Sequence, residues 1–443
     1  MLPSRDGRKG PHRYSLLHIT LGVIIFCLFL GSAGALVAGE ARYGRPTRIG
    51  GIEVGGLTPS EARERLEQVL NWKERVMILE TPFGEFFTLR YTELGLVPDI
   101  DASLARARVS TWWRSAPQQL ELVVRLDEQV FYQTMEALKQ AVECPPVSAA
   151  LVFLPNGRVE VGPHLNGVIL DTGALRQAVW QSGRWETLPG YVMVPVRALE
   201  PEVSQEDLQA LGLRRKIAEF STTYKANEPR AENVALSALA INGTLLAPGE
   251  VFSFNEIVGP RSAEKGYQLA NVYYGHRIIQ GVGGGVCQVS TTLYNAVLLA
   301  NLELVQRFHH SMPVDYVPLG RDAAVSFDDG LDLKFRNNTS SHMLIRATAD
   351  QGKLTFSIYG DAPEDLRVTI TSRVVQTIPF GTETVNDPKV PAGEKVVTEG
   401  KVGMRVVAEA TVFANGRETT RPLPASVYVP VPTLVRVGTG PNP

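Results

Sequence analysis

The chain has 443 residues, 44% of them hydrophobic and 20% charged, with a formal net charge of −2. It is too long for one ordinary core, and its composition is that of folded protein rather than a disordered chain. The near-neutral balance offers no concentrated basic surface, which argues against a nucleic-acid partner.

Arg5, Arg8, Lys9 and Arg13 precede a stretch without formal charge from Tyr14 through Gly39. A bilayer core takes about 20 apolar residues of helix, and a basic N-terminal flank keeps that end in the cytoplasm. Residues 1–15 are therefore expected as a cytoplasmic basic segment and 16–39 as a single-pass anchor in the cell membrane. Everything after Glu40 is then extracytoplasmic. A cleaved signal peptide, with Ala33-Gly34-Ala35 as the cleavage site, is the alternative. His18 and Cys27 fall in this segment and are assigned no chemistry.

Ile49, Ile52 and Val54 predict a short strand. Thr58-Pro59-Ser60-Glu61 then predicts a helix start, with Thr58 as N-cap, Pro59 in the first turn and Glu61 closing a capping box. Ala62, Leu66, Val69 and Leu70 form its apolar stripe. Strands are expected over 75–80 and 85–91. Residues 150–161 read as a hairpin around Asn156-Gly157. A strand over 192–196 and a helix capped by Ser204 follow. A glycine, aspartate and helix order recurs in both parts of 46–205, which suggests two related α+β modules. Residues 230–246 predict a helix ending near Asn242-Gly243, and several strands follow Asn301. From 366 to 436 the alternation of apolar and polar residues is that of half-buried strands. The last six residues read as a disordered tail.

One stretch carries chemistry: GVGGGVCQVSTTLY over 281–294. The chain has three cysteines, and outside the cytoplasm a Cys144–Cys287 disulfide is the bland alternative to a reactive thiol. Val286, Val289, Leu293, Val297 and Ala300 predict the buried stripe of a helix, and Cys287 lies off it with Ser290, Thr291 and Tyr294. A thiol in a helix's first turn ionises more easily, and the thiolate is the nucleophile. Gly283, Gly284 and Gly285 are expected to bare it to a substrate backbone, and the free N–H groups at the helix start to stabilise an oxyanion. Gln288 and Ser290 are candidate substrate-binding residues beside it. The partner base is one of His276, His309, His310 and His342. His309 and His310 are adjacent on a strand end, so only one faces the site, and Asp322 is the candidate that orients it. The glycine run lacks the spacing of a dinucleotide fingerprint or a P-loop, and one cysteine with scattered histidines makes no metal set. No cofactor and no metal are expected.

Residues 217–360 resemble the VanW domain of exported bacterial cell-wall proteins, named from glycopeptide-resistance clusters. The matching stretches are NGTLLAPGEVFSFN, VGPRSAEKGY, GGGVCQVSTTLYNA, RFHHSMPVDYVPLGRDAAV and DLKFRNNTSSHMLIRA. Upstream, IEVGGLTPSEARERL is similar to the peptidoglycan-binding modules that precede such domains, expected here at 46–130 and 131–212. Residues 364–437 resemble the all-β five-glycine domain, which leaves 438–443 as the tail. The fold class expected is α+β multidomain, with an N-terminal transmembrane helix and an all-β C-terminal domain. The resemblance implies a cysteine L,D-transpeptidase of peptidoglycan stem peptides, with Cys287 as nucleophile, His310 as base, Ser311 after it and Asp322 in the Gly-x-Asp-Ala position. Peptidoglycan is the implied partner. The YkuD-type signature of the better-known L,D-transpeptidases is absent. A non-catalytic wall-binding scaffold is the alternative.

Overall fold

The computed structural model describes residues 41–110, 116–182, 190–274 and 277–441. The anchor expected at 16–39 and the candidate base His276 lie outside them. Among the described residues no helix is long and apolar enough to cross a membrane. The fold is mixed α+β and divides into two units: the residues up to Pro146 with Asn166–Leu199, and Val147–Leu165 with everything from Glu200.

In the first unit the helix Pro59–Leu70 begins as its sequence dictates. The Thr58 hydroxyl accepts from the Glu61 N–H, and the Glu61 carboxylate accepts from the Thr58 N–H. Ala62, Leu66 and Leu70 are buried, whereas Val69 is exposed. Helices Glu128–Val142 and Thr172–Gln181 bury Phe131, Met135, Leu175 and Val179 in the same core. The two modules expected to part at 130/131 are interleaved here. Strand Gly190–Met193 pairs in parallel with Val76–Glu80, which itself pairs antiparallel with Phe86–Arg90. The stretch between, Val147–Leu165, belongs to the other unit. A repeat in sequence therefore did not mark a boundary, because one module contributes a strand to the other's sheet.

The second unit is built on an antiparallel sheet in the order Arg215–Thr223, Lys353–Gly360, Met343–Asp350, Thr244–Leu246. Helices Pro229–Ile241 and Val286–Leu299 share its core, where Val234, Ile241, Val289, Leu293, Val297, Phe356 and Ile358 are all buried. The hairpin Leu151–Phe153/Val159–Val161 packs Leu151 and Phe153 against Leu344 and Tyr359.

The C-terminal part has two three-stranded sheets. One is antiparallel, Arg367–Ile378, Gly403–Ala414 and Arg417–Tyr428. Its Ala408, Ala410 and Leu423 are buried in the same core as the cysteine helix. The other sheet places Thr433–Gly440 between Thr382–Pro391 and Lys395–Thr398. The tail expected from 438 is thus strand as far as Gly440, which pairs with Pro391. Two glycines that read as chain-breaking punctuation leave room instead for the Pro388 and Val390 carbonyls to approach closely.

Candidate active site

The site begins with how the cysteine helix is seated. Its apolar stripe is buried as the spacing dictates, but so are Gln288, Ser290, Thr291, Thr292 and Asn295 on the other faces. A buried polar group needs a partner, and each of these has one. Ser290 Oγ donates to Ala323 O (2.7 Å), Ala323 N donates to Thr291 Oγ1 (2.9 Å), and Asn295 Nδ2 donates to Arg321 O (2.9 Å). The polar face of the helix is therefore fastened to the backbone of 321–323. That fixes Asp322.

The glycine loop at the helix start is held from the other side. Asn233, fully buried, donates to Gln268 O and Gly284 O, both at 2.9 Å. Gly283 and Gly285 have φ of +85° and +111°, a region that penalises any side chain. The space before Gly284 is taken by the backbone of Ala270 and Asn271, and that beside Gly283 and Gly285 by Arg261 and Arg230. The glycines line the cavity with the thiol as expected, and they also let two arginines and a strand pack against the loop. Among the helix-start N–H groups, those of Val286 and Gln288 are turned onto Gly283 O (3.2 Å) and Gly285 O (2.9 Å).

Cys287 and Cys144 are both free thiols. Cys287 is partly buried and packs against the main core. Its Sγ lies 3.4 Å from Val325 O. Of the candidate bases, His310 faces it. The imidazole is 5% exposed, and its Nδ1 lies 2.7 Å from Asp322 Oδ2. The same carboxylate oxygen accepts the His310 backbone N–H at 2.7 Å. His309 borders the same cavity but its ring is committed elsewhere: Nδ1 donates to His310 O (2.8 Å) and Nε2 accepts from Val427 N (3.3 Å). His342 uses its backbone N–H on Leu211 O and does not line the cavity.

Two residues that sequence reading missed complete this line. Arg307, whose side chain is wholly buried, donates from Nη2 to Asp322 Oδ1 (3.2 Å) and from Nε to Asp322 O (2.7 Å). Tyr428, on the third strand of the C-terminal sheet, donates its hydroxyl to Asp322 Oδ1 at 2.7 Å and accepts the Gly320 N–H at 2.8 Å. Arg307 lies only three residues before His310, but no pattern in the chain links either Arg307 or Tyr428 to Asp322.

The electrostatics follow from this order of groups. Burial pushes the Cys287 thiol up, but the hydrogen bond and charge of His310, the Val325 backbone and Arg261 together hold it below its ordinary value. Burial pulls His310 down, yet Asp322 and Cys287 raise it to about 9. Burial would raise Asp322; His310 and Arg307 hold it well below the usual carboxylate range. The shifts favour the charged forms of all three titrating groups, thiolate, imidazolium and carboxylate, in a line that alternates in sign.

A cavity of about 620 Å³ opens over the thiol. Gly284, Gly285 and Ser311 line it, together with Arg261, Tyr316, Val427 at the end of the last strand of the antiparallel C-terminal sheet, and Val429 just beyond it. Gln288 and Ser290 do not. Gln288 is tied to Arg230 (3.1 Å), Thr222 (3.0 Å) and Thr223 O (2.8 Å), and Ser290 to Ala323 O. Their expected place at the substrate is corrected to one of bracing the helix. Among the described residues no group of three or more His, Cys, Asp or Glu side chains is placed to hold a metal ion.

The family described as VanW like protein matches residues 229–359, and the G5 domain matches residues 369–440. The uncharacterized protein YoaR of Bacillus subtilis (strain 168) is 38% identical over 255 residues, 57% of this chain and 82% of that one. The vancomycin B-type resistance protein VanW of Enterococcus faecalis (strain ATCC 700802 / V583) is 26% identical over 215 residues, 47% of this chain and 76% of that one. Among solved structures, the IgA1 protease G5 domain covers 18% of this chain and 99% of its own at 23% identity and a TM-score of 0.13.

Proposed function

This chain belongs to the VanW-like protein family, with a G5 domain at its C-terminal end, and from that premise we propose that it is a cell-wall protein acting on peptidoglycan as a cysteine L,D-transpeptidase. The observation that carries the reading is the Cys287–His310–Asp322 line at the floor of a cavity. The N-terminal segment anchors it in the membrane, and the bulk of the chain works outside.

The chemistry is a two-step acyl transfer. The Cys287 thiolate attacks the carbonyl carbon that joins the third stem residue to D-alanine. The C–S bond forms and the C–N bond breaks. His310 gives its proton to the departing amine as general acid. An amine of a neighbouring stem then attacks the thioester. The C–N bond forms, the C–S bond breaks, and the amine's proton returns to the His310–Cys287 pair. Asp322 holds the imidazole's Nδ1 side, so the other ring nitrogen is the one presented to substrate.

The test is direct. Full-length protein, wild type and Cys287→Ala, is incubated with tetrapeptide-bearing muropeptides and products are read by mass spectrometry. Released D-alanine and a cross-linked dimer with wild type alone support the reading. Absence of both, with equal wall binding by the two proteins, leaves the second reading: a scaffold that grips the wall. The G5 match is what favours that alternative.

A further inference from the structure

We infer that Arg261 recognises a carboxylate, so that the site takes acyl donors whose leaving group is a single amino acid with a free C-terminal acid. The inference deepens the transpeptidase reading and rests on it for the identity of the donor.

Arg261 lines the cavity together with Cys287. Its two terminal nitrogens are buried and have no hydrogen-bond partner among the described residues. The other arginine at the loop, Arg230, is engaged with Gln288. Asp332, which acts on Arg261 only through its field, is committed to Ser253 Oγ (2.6 Å) and the Asn255 N–H (2.9 Å). Cys287 and Asp328 also act on it only through their fields, and a buried guanidinium whose terminal N–H groups have no acceptor is costly; a carboxylate meets those paired N–H groups in a fork.

The residue is built in rather than stray. Its guanidinium carbon lies 5.4 Å from the Phe254 ring centre and 6.0 Å from that of Phe327, contacts that fix the plane of the group. Gly283 makes the room, since a Cβ there would meet the Arg261 Cβ at 3.0 Å. In a donor ending in D-alanine the leaving carboxylate stands one carbon beyond the departing nitrogen. A cation beside the thiol can reach it. An internal peptide bond, or a donor ending in an amide, presents no such anion.

The experiment reads binding, so that it is independent of turnover. Full-length Cys287→Ala, alone and combined with Arg261→Gln or Arg261→Lys, is titrated calorimetrically with a stem tetrapeptide ending in D-alanine, as free acid and as C-terminal carboxamide. With Arg261 present the acid is expected to bind about tenfold or more tightly than the amide, the scale of a charge-assisted pair. Arg261→Gln removes the preference, and Arg261→Lys keeps part of it. Equal affinity for acid and amide, no binding of the acid, or a preference that survives Arg261→Gln would overturn the inference. Because the comparison of the two peptides already decides with Arg261 in place, misfolding of the variants does not blunt it. Acid preference without product in the wild type would sink the transpeptidase reading and leave the carboxylate site standing.

Discussion

Asp322 is where four side chains and backbone groups converge, and its charge is what the others need. With the carboxylate below its usual range and His310 raised to about 9, the acylation step requires the thiolate and the imidazolium together. Activity should therefore rise with pH through a thiol titration lowered from the ordinary cysteine value. It should fall again as pH passes about 9, where the imidazolium loses its proton. A pH profile of kcat/KM checks both limbs; a profile still rising above that pH would contradict the assignment. Asp322→Asn keeps the shape and removes the charge. It should raise the thiol's pKa and slow alkylation of Cys287 by iodoacetamide at pH 6.5 by about tenfold or more, the cost of one to two pKa units. That Cys287 lies in a helix's first turn, and that only one of His309 and His310 could face it, were legible because helix-start chemistry and strand alternation are local; the resemblance, not the alternation, singled out His310. Arg307 and Tyr428 could not be, because buried charges and hydroxyls find partners through tertiary packing. Tyr428 stands 106 residues from the carboxylate it touches.

The helix Val286–Leu299 shows how far periodicity reaches. Its limits and apolar stripe were legible, since a repeat near three and four residues marks a buried face. Its polar face was not. Ser290 and Thr291 are as buried as the valines, and their hydrogen bonds to 321–323 do the placing of Asp322. Thr291→Val would leave the Ala323 N–H without its acceptor. It should cost about 1–3 kcal/mol in urea unfolding, with a loss of thiol reactivity that tracks the displaced carboxylate. Gly285→Ala sets a methyl at a φ of +111°, 2.9 Å from Arg230 Cγ. A cost of about 1–3 kcal/mol is expected from the backbone alone. Val69 failed as a core residue on the first helix, where only Ala62, Leu66 and Leu70 of the stripe are buried. The tail at 438–440 failed because glycines that signal loops elsewhere here admit close strands.

At the scale of the molecule, the order of parts along the chain was readable, and their independence was not. The strand Gly190–Met193 joins a sheet begun more than a hundred residues earlier, and Leu423 of the C-terminal sheet sits in the core of the cysteine helix. Long-range pairing of this kind has no local signature. It has a thermodynamic one. Leu423→Ala should cost about 2–5 kcal/mol, as buried leucines do. The loss should appear together in tryptophan-independent probes of the C-terminal strands and in protection of the Cys287 thiol. Separate transitions for the two would show that the core is not shared. The C-terminal sheet also supplies the hydroxyl that steadies Asp322, and that has a practical reach. Anyone who exchanges this G5 module for another, as one swaps a handle on a tool, also removes a screw from the blade. A transplant would have to bring its own phenol to the same spot, or the imidazole would lose its brace while every residue of the original triad remained in place.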